Sequence, residues 1–135
     1  GTLKAVALDK SGNALGETTL QTAGQKTRLH LSPEKTTLRA DGQSLCFIPI
    51  TLTDAAGIWK PCANAKVHLK IEGPAALQAL GSAATQTDET YLGSSHTTWL
   101  GRALAVIRAG TEPGKVRVTV TAEGYEPQYV DLTVE

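Results

Sequence analysis

The amino-acid sequence predicts an all-β protein, folded as an antiparallel sandwich of two sheets. Short stretches in which apolar and polar residues alternate recur along its 135 residues. No window of about 11 residues shows the apolar stripe of a helix. Pairs of turn-forming residues separate the alternating stretches. These pairs are Asp41-Gly42, Ala56-Gly57, Gly73-Pro74 and Pro113-Gly114. Many short strands with turns at such intervals are typical of a two-sheet sandwich.

The N-terminal residues predict a hairpin followed by a short strand. TLKAVALD and GETTLQTA are strand-like and flank KSGNAL, a connection rich in turn-forming residues. TRLHLS then alternates, with Leu29 and Leu31 on one face and Arg28 and His30 on the other. Leu29 and Leu31 are therefore expected to face the core.

The segment SLCFIPITLTD predicts a strand with one fully apolar face. The residues of that face are Cys46, Ile48, Ile50 and Leu52. The opposite face includes Pro49, which has no N–H to donate to a neighbouring strand. Pro49 therefore predicts that the strand lies at a sheet edge there, or is bulged.

Five further segments predict the remaining strands. KVHLKIEG, GKVRVTVTAEG and QYVDLTVE each alternate between apolar and polar residues. GRALAVIRAG is apolar on both faces, which suits a central strand. GPAALQALGSAA is interpreted as a strand that runs into a loop, although alanine and leucine also favour helix.

Asp41 and Asp54 are predicted to be turn residues rather than a catalytic pair. Each lies close to a glycine at one end of the Cys46 strand. In turns, aspartate accepts hydrogen bonds from nearby backbone and glycine adopts positive φ. About ten extended residues at ~3.3 Å each hold the two carboxylates about 30 Å apart, too far to act together on one bond.

Composition and motifs exclude several classes of function. Lys plus Arg and Asp plus Glu both number 13, so charge gives no reason to expect a nucleic acid or an anionic membrane as partner. No apolar run approaches the roughly 20 residues of a membrane helix.

His30, His68 and His96 do not predict a metal site. They lie in separate segments, whereas a zinc site needs three or four convergent ligands. We therefore predict no metal, no cofactor and no catalytic residue.

Ser94 and Ser95 beside His96 do not predict a nucleophile and its base. Adjacent residues rarely face each other, and the nucleophile-elbow motif is missing. The spacing of Cys46 and Cys62 fits no zinc pattern. Two free thiols are the favoured interpretation, with Cys46 buried, but a disulfide stays open because sequence does not fix its geometry.

Trp59 is the candidate contact residue of the chain. It follows Gly57 in a loop and is expected to be exposed, whereas Trp99 precedes a central strand and is expected in the core. An exposed tryptophan serves either an interdomain contact or a sugar, and another domain is the more frequent partner.

Several motifs, taken in order, resemble a known family. GTLKAVALDKSGNALGETTLQTAG, ending in Thr22-Ala23-Gly24, resembles the closing hairpin of an immunoglobulin-like domain in bacterial glycoside hydrolase family 2 enzymes. The rest resembles the C-terminal immunoglobulin-like domain of the same enzymes. The matching residues are Leu38, Ala40, Asp41, Gly42, Leu45 and Phe47, then VHLKIEG, then Trp99 with Gly101, then ALAVIR and PGKVRVTVTAEG. The resemblance spans nearly the whole chain.

The resemblance implies two structural units and a larger parent enzyme. Residues 1–24 would close a preceding immunoglobulin-like domain, and residues 25–135 would form an immunoglobulin-like β-sandwich of their own. The parent would be a β-galactosidase-like enzyme, often exported to the periplasm of gut bacteria. Its two catalytic glutamates would lie in a TIM barrel of about 250 residues, so none of them maps onto this chain. The module would be non-catalytic, with the other domains of the parent as its partners.

Two features keep other interpretations open. Family members often have Gly-Asn-Gly where this chain has ALGSAATQTDETYLGSS, a longer stretch without the asparagine. Ala-Asp-Gly followed by a strand ending in Asp also resembles the repeats of invasin-type bacterial surface adhesins. The alternatives are therefore an adhesin repeat and, because of Trp59, a carbohydrate-binding module.

Overall fold

The structure, a computed structural model, describes residues 1–135 and consists of eleven β-strands in three sheets. The strands are β1 (Thr2–Leu8), β2 (Ala14–Gln21), β3 (Arg28–Leu31), β4 (Thr37–Leu38), β5 (Leu45–Thr53), β6 (Lys66–Glu72), β7 (Ala75–Gly81), β8 (Ser95–Thr97), β9 (Arg102–Ala109), β10 (Gly114–Ala122) and β11 (Gln128–Val134). The chain has no helix of the length and apolarity needed to cross a membrane. The predicted all-β sandwich is confirmed.

The first layer of the sandwich is a four-stranded antiparallel sheet in the order β3-β5-β9-β7. Its inward face includes Cys46, Ile48, Ile50 and Leu52, which are fully buried, as the alternation predicted. β9 is internal to this sheet, as expected of a strand with two apolar faces. The interpretation of GPAALQALGSAA as a strand is also confirmed, by β7.

The second layer is a five-stranded sheet in the order β4-β11-β10-β6-β8. All of its pairs are antiparallel except that of β4 with β11. Val116, Val118 and Val120 of β10 point inward and are buried. They meet the apolar face of the first sheet in a single core of 19 buried residues. Burial of each such aliphatic side chain stabilises the fold by about 1.5–3 kcal/mol.

Pro49 lies in an internal strand, so the predicted edge or bulge is wrong for β5 as a whole. β5 pairs with both β3 and β9, and neither register shifts. The carbonyl of Pro49 accepts a hydrogen bond from the N–H of Ser32 at 3.1 Å. Its nitrogen therefore faces β3 just beyond Leu31, where β3 ends. The missing N–H therefore falls just beyond the paired register of β3 and β5, which ends at Leu31 and Ile50, and this explains why the proline is tolerated.

The predicted N-terminal hairpin is confirmed and stands as a separate two-stranded sheet. β1 and β2 pair with each other and with no other strand. All of their residues are exposed, including Leu3, Leu15 and Leu20. The hairpin thus neither docks on the sandwich nor forms part of its core. Its assignment to a preceding domain stays a prediction.

Candidate functional site

An apolar groove of about 650 Å³ lies on the outer face of the four-stranded sheet. β9 and β7 form its floor, because alternation along these strands turns Leu104, Val106 and Ala79 away from the core. Three connections between strands add aromatic side chains to its lining. We call this surface the aromatic groove. Its principal side chains are Trp59, Tyr91, Trp99, Leu100, Leu104 and Val106.

Trp59 is the residue of this groove that the sequence singled out. It lies between β5 and β6 and is 38% exposed. Its indole Nε1 donates a hydrogen bond of 2.9 Å to the carbonyl of Leu100. The guanidinium of Arg102 stacks on its ring, with Cζ 3.8 Å from the centroid. The orientation of the Trp59 ring is thus set by both a hydrogen bond and a cation–π contact. Its role as an interdomain or sugar contact stays a prediction.

Trp99 lies in the groove as well, which corrects the expectation that it belongs to the core. It is 45% exposed. Trp99 and Arg102 exchange backbone hydrogen bonds of 2.8 and 3.0 Å across a two-residue turn. Trp99 therefore lies in a hairpin turn before β9, where the alternation of inward and outward side chains along β9 does not apply. Its position just before an apolar strand does not show that its side chain is buried in the core.

The turn between Trp99 and Arg102 has an unusual first residue. Leu100 has φ 49° and Gly101 has φ 70°, which is the left-handed pair of a type I′ hairpin turn. Asparagine or glycine normally occupies the first of these positions, because the Cβ of other residues clashes with the backbone. Leu100 is the only non-glycine residue of the chain with positive φ, and its side chain is 49% exposed. Leu100, a residue that lines the groove, is therefore both strained in its backbone and exposed to solvent.

Tyr91 also lines the groove and comes from the long connection between β7 and β8. A Cβ on Gly81 would lie 2.2 Å from Cδ1 of Tyr91, so the tyrosine ring packs where only glycine leaves space. The other neighbour of the ring is His96, stacked at a centroid distance of 5.4 Å and an angle of 15°. The connection that departs from the family pattern therefore supplies one wall of the groove.

Glu89 ties the same connection to the edge of the five-stranded sheet. Its carboxylate accepts hydrogen bonds from the backbone N–H of Thr97 at 2.8 Å and from its hydroxyl at 3.1 Å. Lys66 approaches it at 3.3 Å. These contacts, chiefly the Thr97 N–H, lower the pKa of Glu89. Glu89 is therefore a charged anchor that fixes the position of Tyr91.

His96 is fully buried, although the sequence placed it in a polar stretch. It occupies β8, pairs with Val67 and has Nδ1 3.0 Å from the carbonyl of Thr97 and 3.5 Å from Glu89. No hydroxyl is bonded to this ring, so Ser94 and Ser95 form no catalytic pair with it. The structure contains no cluster of three or more His, Cys, Asp or Glu side chains able to hold a metal ion.

The two aspartates are turn residues, as predicted. Asp41 accepts hydrogen bonds from the N–H groups of Gln43 and Ser44 at 2.8 and 2.6 Å. Asp54 accepts from Ala56 and Ile58, both at 2.8 Å. Such backbone donors lower the pKa of each carboxyl.

Asp54 has a second role at the joint between the hairpin and the sandwich. Its Oδ2 accepts a 2.7 Å hydrogen bond from the N–H of Gly24, the largest cause of its lowered pKa. Lys60 donates to the carbonyls of Gly24 and Gln25 at 2.8 and 2.7 Å. The loop that carries Trp59 therefore also holds the chain where it enters the sandwich.

The two cysteines are free thiols, which agrees with the favoured interpretation. Cys46 is fully buried, and Cys62 is exposed. Burial raises the pKa of the Cys46 thiol, which donates to the carbonyl of Lys35 at 3.2 Å.

Comparison with protein families decides what kind of domain this is. The model described as glycoside hydrolase family 2 C-terminal domain 5 matches residues 29–131. The chain belongs to this family. The resemblance drawn from the sequence motifs is therefore confirmed. A C-terminal domain of this kind is not the catalytic domain of a family 2 enzyme.

Two relatives show how this C-terminal domain occurs in longer proteins. The β-galactosidase BoGH2A of Bacteroides ovatus is 28% identical over all 135 residues, which span 16% of that protein. A glycosyl hydrolase family 2 member from Bacteroides cellulosilyticus superposes with a TM-score of 0.95 at 33% identity. The comparison covers the whole of this chain and 17% of that structure. The chain thus spans about a sixth of the length of these relatives.

The adhesin alternative is matched in fold alone. The D00-D0 domain of intimin superposes with a TM-score of 0.59 at 24% identity, covering 99% of this chain and 64% of that structure. This agreement reflects a shared sandwich architecture. The family 2 member from Bacteroides cellulosilyticus superposes far more closely, with a TM-score of 0.95 against 0.59.

Proposed function

We propose that this chain is a non-catalytic module of a family 2 enzyme that hydrolyses β-galactosides, and that it packs on and positions neighbouring domains. The observation that carries the proposal is the family match over residues 29–131, within relatives about six times as long. One of these relatives is a β-galactosidase. Two exposed apolar surfaces, the hairpin and the aromatic groove, support a packing role.

The hairpin supports the presence of a preceding immunoglobulin-like domain. An isolated two-stranded hairpin is only marginally stable in water, and this one exposes leucines on a sheet with two open edges. The match to the family begins at residue 29, after the hairpin. We therefore assign residues 1–24 to the preceding domain, as its closing strands, and residues 25–135 to this module.

Carbohydrate is the second candidate ligand of the chain. Exposed tryptophan and tyrosine rings in the aromatic groove favour it. Against it, Arg102 covers one face of Trp59, and the groove offers few polar groups to bind hydroxyls. Packing on another domain needs only the apolar surface, so it is the preferred function.

From the family resemblance we propose that the parent acts in carbohydrate metabolism and is located in the periplasm or outside the cell. A leader segment in the complete gene product, followed by recovery of the protein from the periplasmic fraction, would test this location.

The function is tested with the full-length polypeptide and the isolated chain side by side. We expect the full-length protein to release product from a chromogenic β-galactoside, and residues 1–135 purified free of host enzyme to release none. Activity of the isolated chain above a buffer blank would contradict the non-catalytic role. A full-length polypeptide without a TIM barrel and without glycosidase activity would overturn the parent assignment.

A further inference from the structure

The aromatic groove is uncovered in this chain although its composition is that of an interface core. Trp59 and Trp99 are 38% and 45% exposed, and they are the only tryptophans of the chain. Tryptophan and arginine are enriched where protein surfaces meet, and their side chains usually occupy the central, desolvated part of the contact. Here both tryptophans contact Arg102, and all three side chains line a single depression.

Leu100 is costly for the isolated chain and has no evident compensation within it. Its φ of 49° is a conformation that a leucine adopts only under strain. Half of its side chain remains in water. Strained residues persist where their surroundings hold them in place, and they cluster at functional positions. The turn aims an apolar side chain outward, beside two exposed indole rings, which suits contact with a second surface.

Arg102 gives the groove a fixed positive charge. Its guanidinium lies flat on Trp59 and pairs with no carboxylate of the chain. A stacked guanidinium keeps its planar set of donors free at the edge and matches a carboxylate in two-point geometry. The charge of the groove is therefore complementary to an acidic side chain surrounded by apolar surface.

The groove also lies beside the point where the polypeptide enters the sandwich. Lys60 follows Trp59 and binds the carbonyls of Gly24 and Gln25. Asp54, at the start of the same loop, binds the N–H of Gly24. In the relatives, more than four fifths of the polypeptide lies outside the matched region. A domain attached through this joint is held close to the groove.

We propose that the aromatic groove is the docking site for another domain of the same polypeptide. That domain places apolar side chains against Trp59, Trp99 and Leu100 and a carboxylate on Arg102. The proposal rests on the part of the proposed function that makes the chain one module of a longer polypeptide, and it does not depend on the reaction that this polypeptide catalyses. A galactoside or other carbohydrate in the groove is the competing outcome.

The first test compares side-chain oxidation in the isolated chain and in the full-length polypeptide. Hydroxyl radicals oxidise exposed tryptophan, and mass spectrometry resolves the peptides that carry Trp59 and Trp99. We expect oxidation of both to fall severalfold in the full-length protein, in proportion to the area removed from water. Tyr129, 58% exposed on the five-stranded sheet, is the reference residue within the same samples. Equal tryptophan oxidation in both proteins would overturn the proposal.

Substitutions then test the two contributions separately in the full-length polypeptide. Leu100→Asn should restore oxidation of both tryptophans, whereas Leu92→Asn, the same change at a leucine that is 81% exposed outside the groove, should not. Raising the salt from about 0.1 to 1 M shortens the Debye length from ~10 to ~3 Å. High salt should therefore increase tryptophan oxidation in the unsubstituted full-length protein. It should have no further effect on oxidation in the Arg102→Gln variant. If neither Leu100→Asn nor high salt changes the protection of Trp59 and Trp99 from oxidation, the tryptophans are covered by a different contact and the proposed docking site is refuted.

The carbohydrate outcome is tested on the isolated chain with lactose and galacto-oligosaccharides as probes. Shifts of the Trp59 and Trp99 indole N–H signals in the nuclear magnetic resonance spectrum would show a sugar site and overturn domain docking. Glycosidase activity of the full-length polypeptide is recorded in parallel. An active enzyme with unprotected tryptophans refutes only the docking site, whereas an inactive polypeptide with protected tryptophans refutes only the proposed function.

Discussion

Replacing Leu100 by asparagine should stabilise the isolated chain. Leu100 occupies the first left-handed position of the turn between Trp99 and Arg102, with φ 49°. Asparagine adopts this conformation readily because its short polar side chain bonds to the local backbone. The substitution keeps both backbone hydrogen bonds of the turn and removes the clash of the leucine Cβ.

The expected gain is about 0.5 kcal/mol in the free energy of unfolding. A left-handed residue other than glycine or asparagine costs about 1–2 kcal/mol. Leu100 is 49% exposed, so the apolar burial lost with it is worth about 1 kcal/mol once the partly compact unfolded chain is allowed for. At ~2.1 cal/mol/K per residue, a net 0.5 kcal/mol raises the melting temperature of a chain this long by about 2 °C.

Thermal and urea unfolding followed by circular dichroism would measure this change. Leu104→Asn is the matched control, since Leu104 is 40% exposed in the same groove but lies in the regular strand β9. No strain is relieved there and asparagine is disfavoured in strands, so the control should lower the melting temperature. If Leu100→Asn lowers the melting temperature as much as Leu104→Asn, the strain argument is wrong.

Three further predictions concern the core, the charged anchors and the hairpin. Cys46→Ala should cost about 1 kcal/mol, by loss of a small buried group; a thiol reagent should label exposed Cys62 rapidly in the native protein, and rapid labelling of Cys46 would contradict its burial. The lowered pKa values of Asp54 and Glu89 mean that both contribute stability at neutral pH, which is lost as the pH falls below about 4 and they bind protons. Asp54→Asn should therefore flatten the acid limb of a plot of stability against pH, and an unchanged limb would rule out this contribution. Removal of residues 1–24 should leave a cooperatively folding sandwich with a modestly lower melting temperature, because the hairpin shares no sheet with it. A truncated chain that is unfolded by circular dichroism would place the domain boundary elsewhere.

Most of the fold was predictable because one face of each strand must be buried. The side-chain period of a strand is two, so a slip of one residue would move a whole apolar set into water. This is why Cys46, Ile48, Ile50 and Leu52 could be assigned to the core from their spacing alone, and all four are fully buried. Pro49 misled because the rule against proline in internal strands concerns a single hydrogen bond. The end of β3 beside it removes most of the penalty.

Residues outside this alternation were not predictable from local pattern. His96 lies in a three-residue strand of polar neighbours, and its cover comes from Glu89 and Tyr91, which belong to a long loop with no strand signal. Trp99 lies one turn before an apolar strand, and the neighbouring residues do not determine on which face of the sheet its side chain lies. Gly101 was the usable clue, since glycine at the second position of a two-residue turn is typical of a hairpin.

The deviations from local expectation converge on one surface. Trp99 lies outside the core, Leu100 occupies a turn position suited to asparagine, and Tyr91 comes from the segment that departs from the family pattern. All three side chains line the aromatic groove. A sequence that follows its local preferences elsewhere and departs from them in one place carries a requirement there beyond folding. Since the isolated sandwich would be more stable with asparagine at position 100, that requirement lies outside the residues of the sandwich itself, in the surface that the groove contacts.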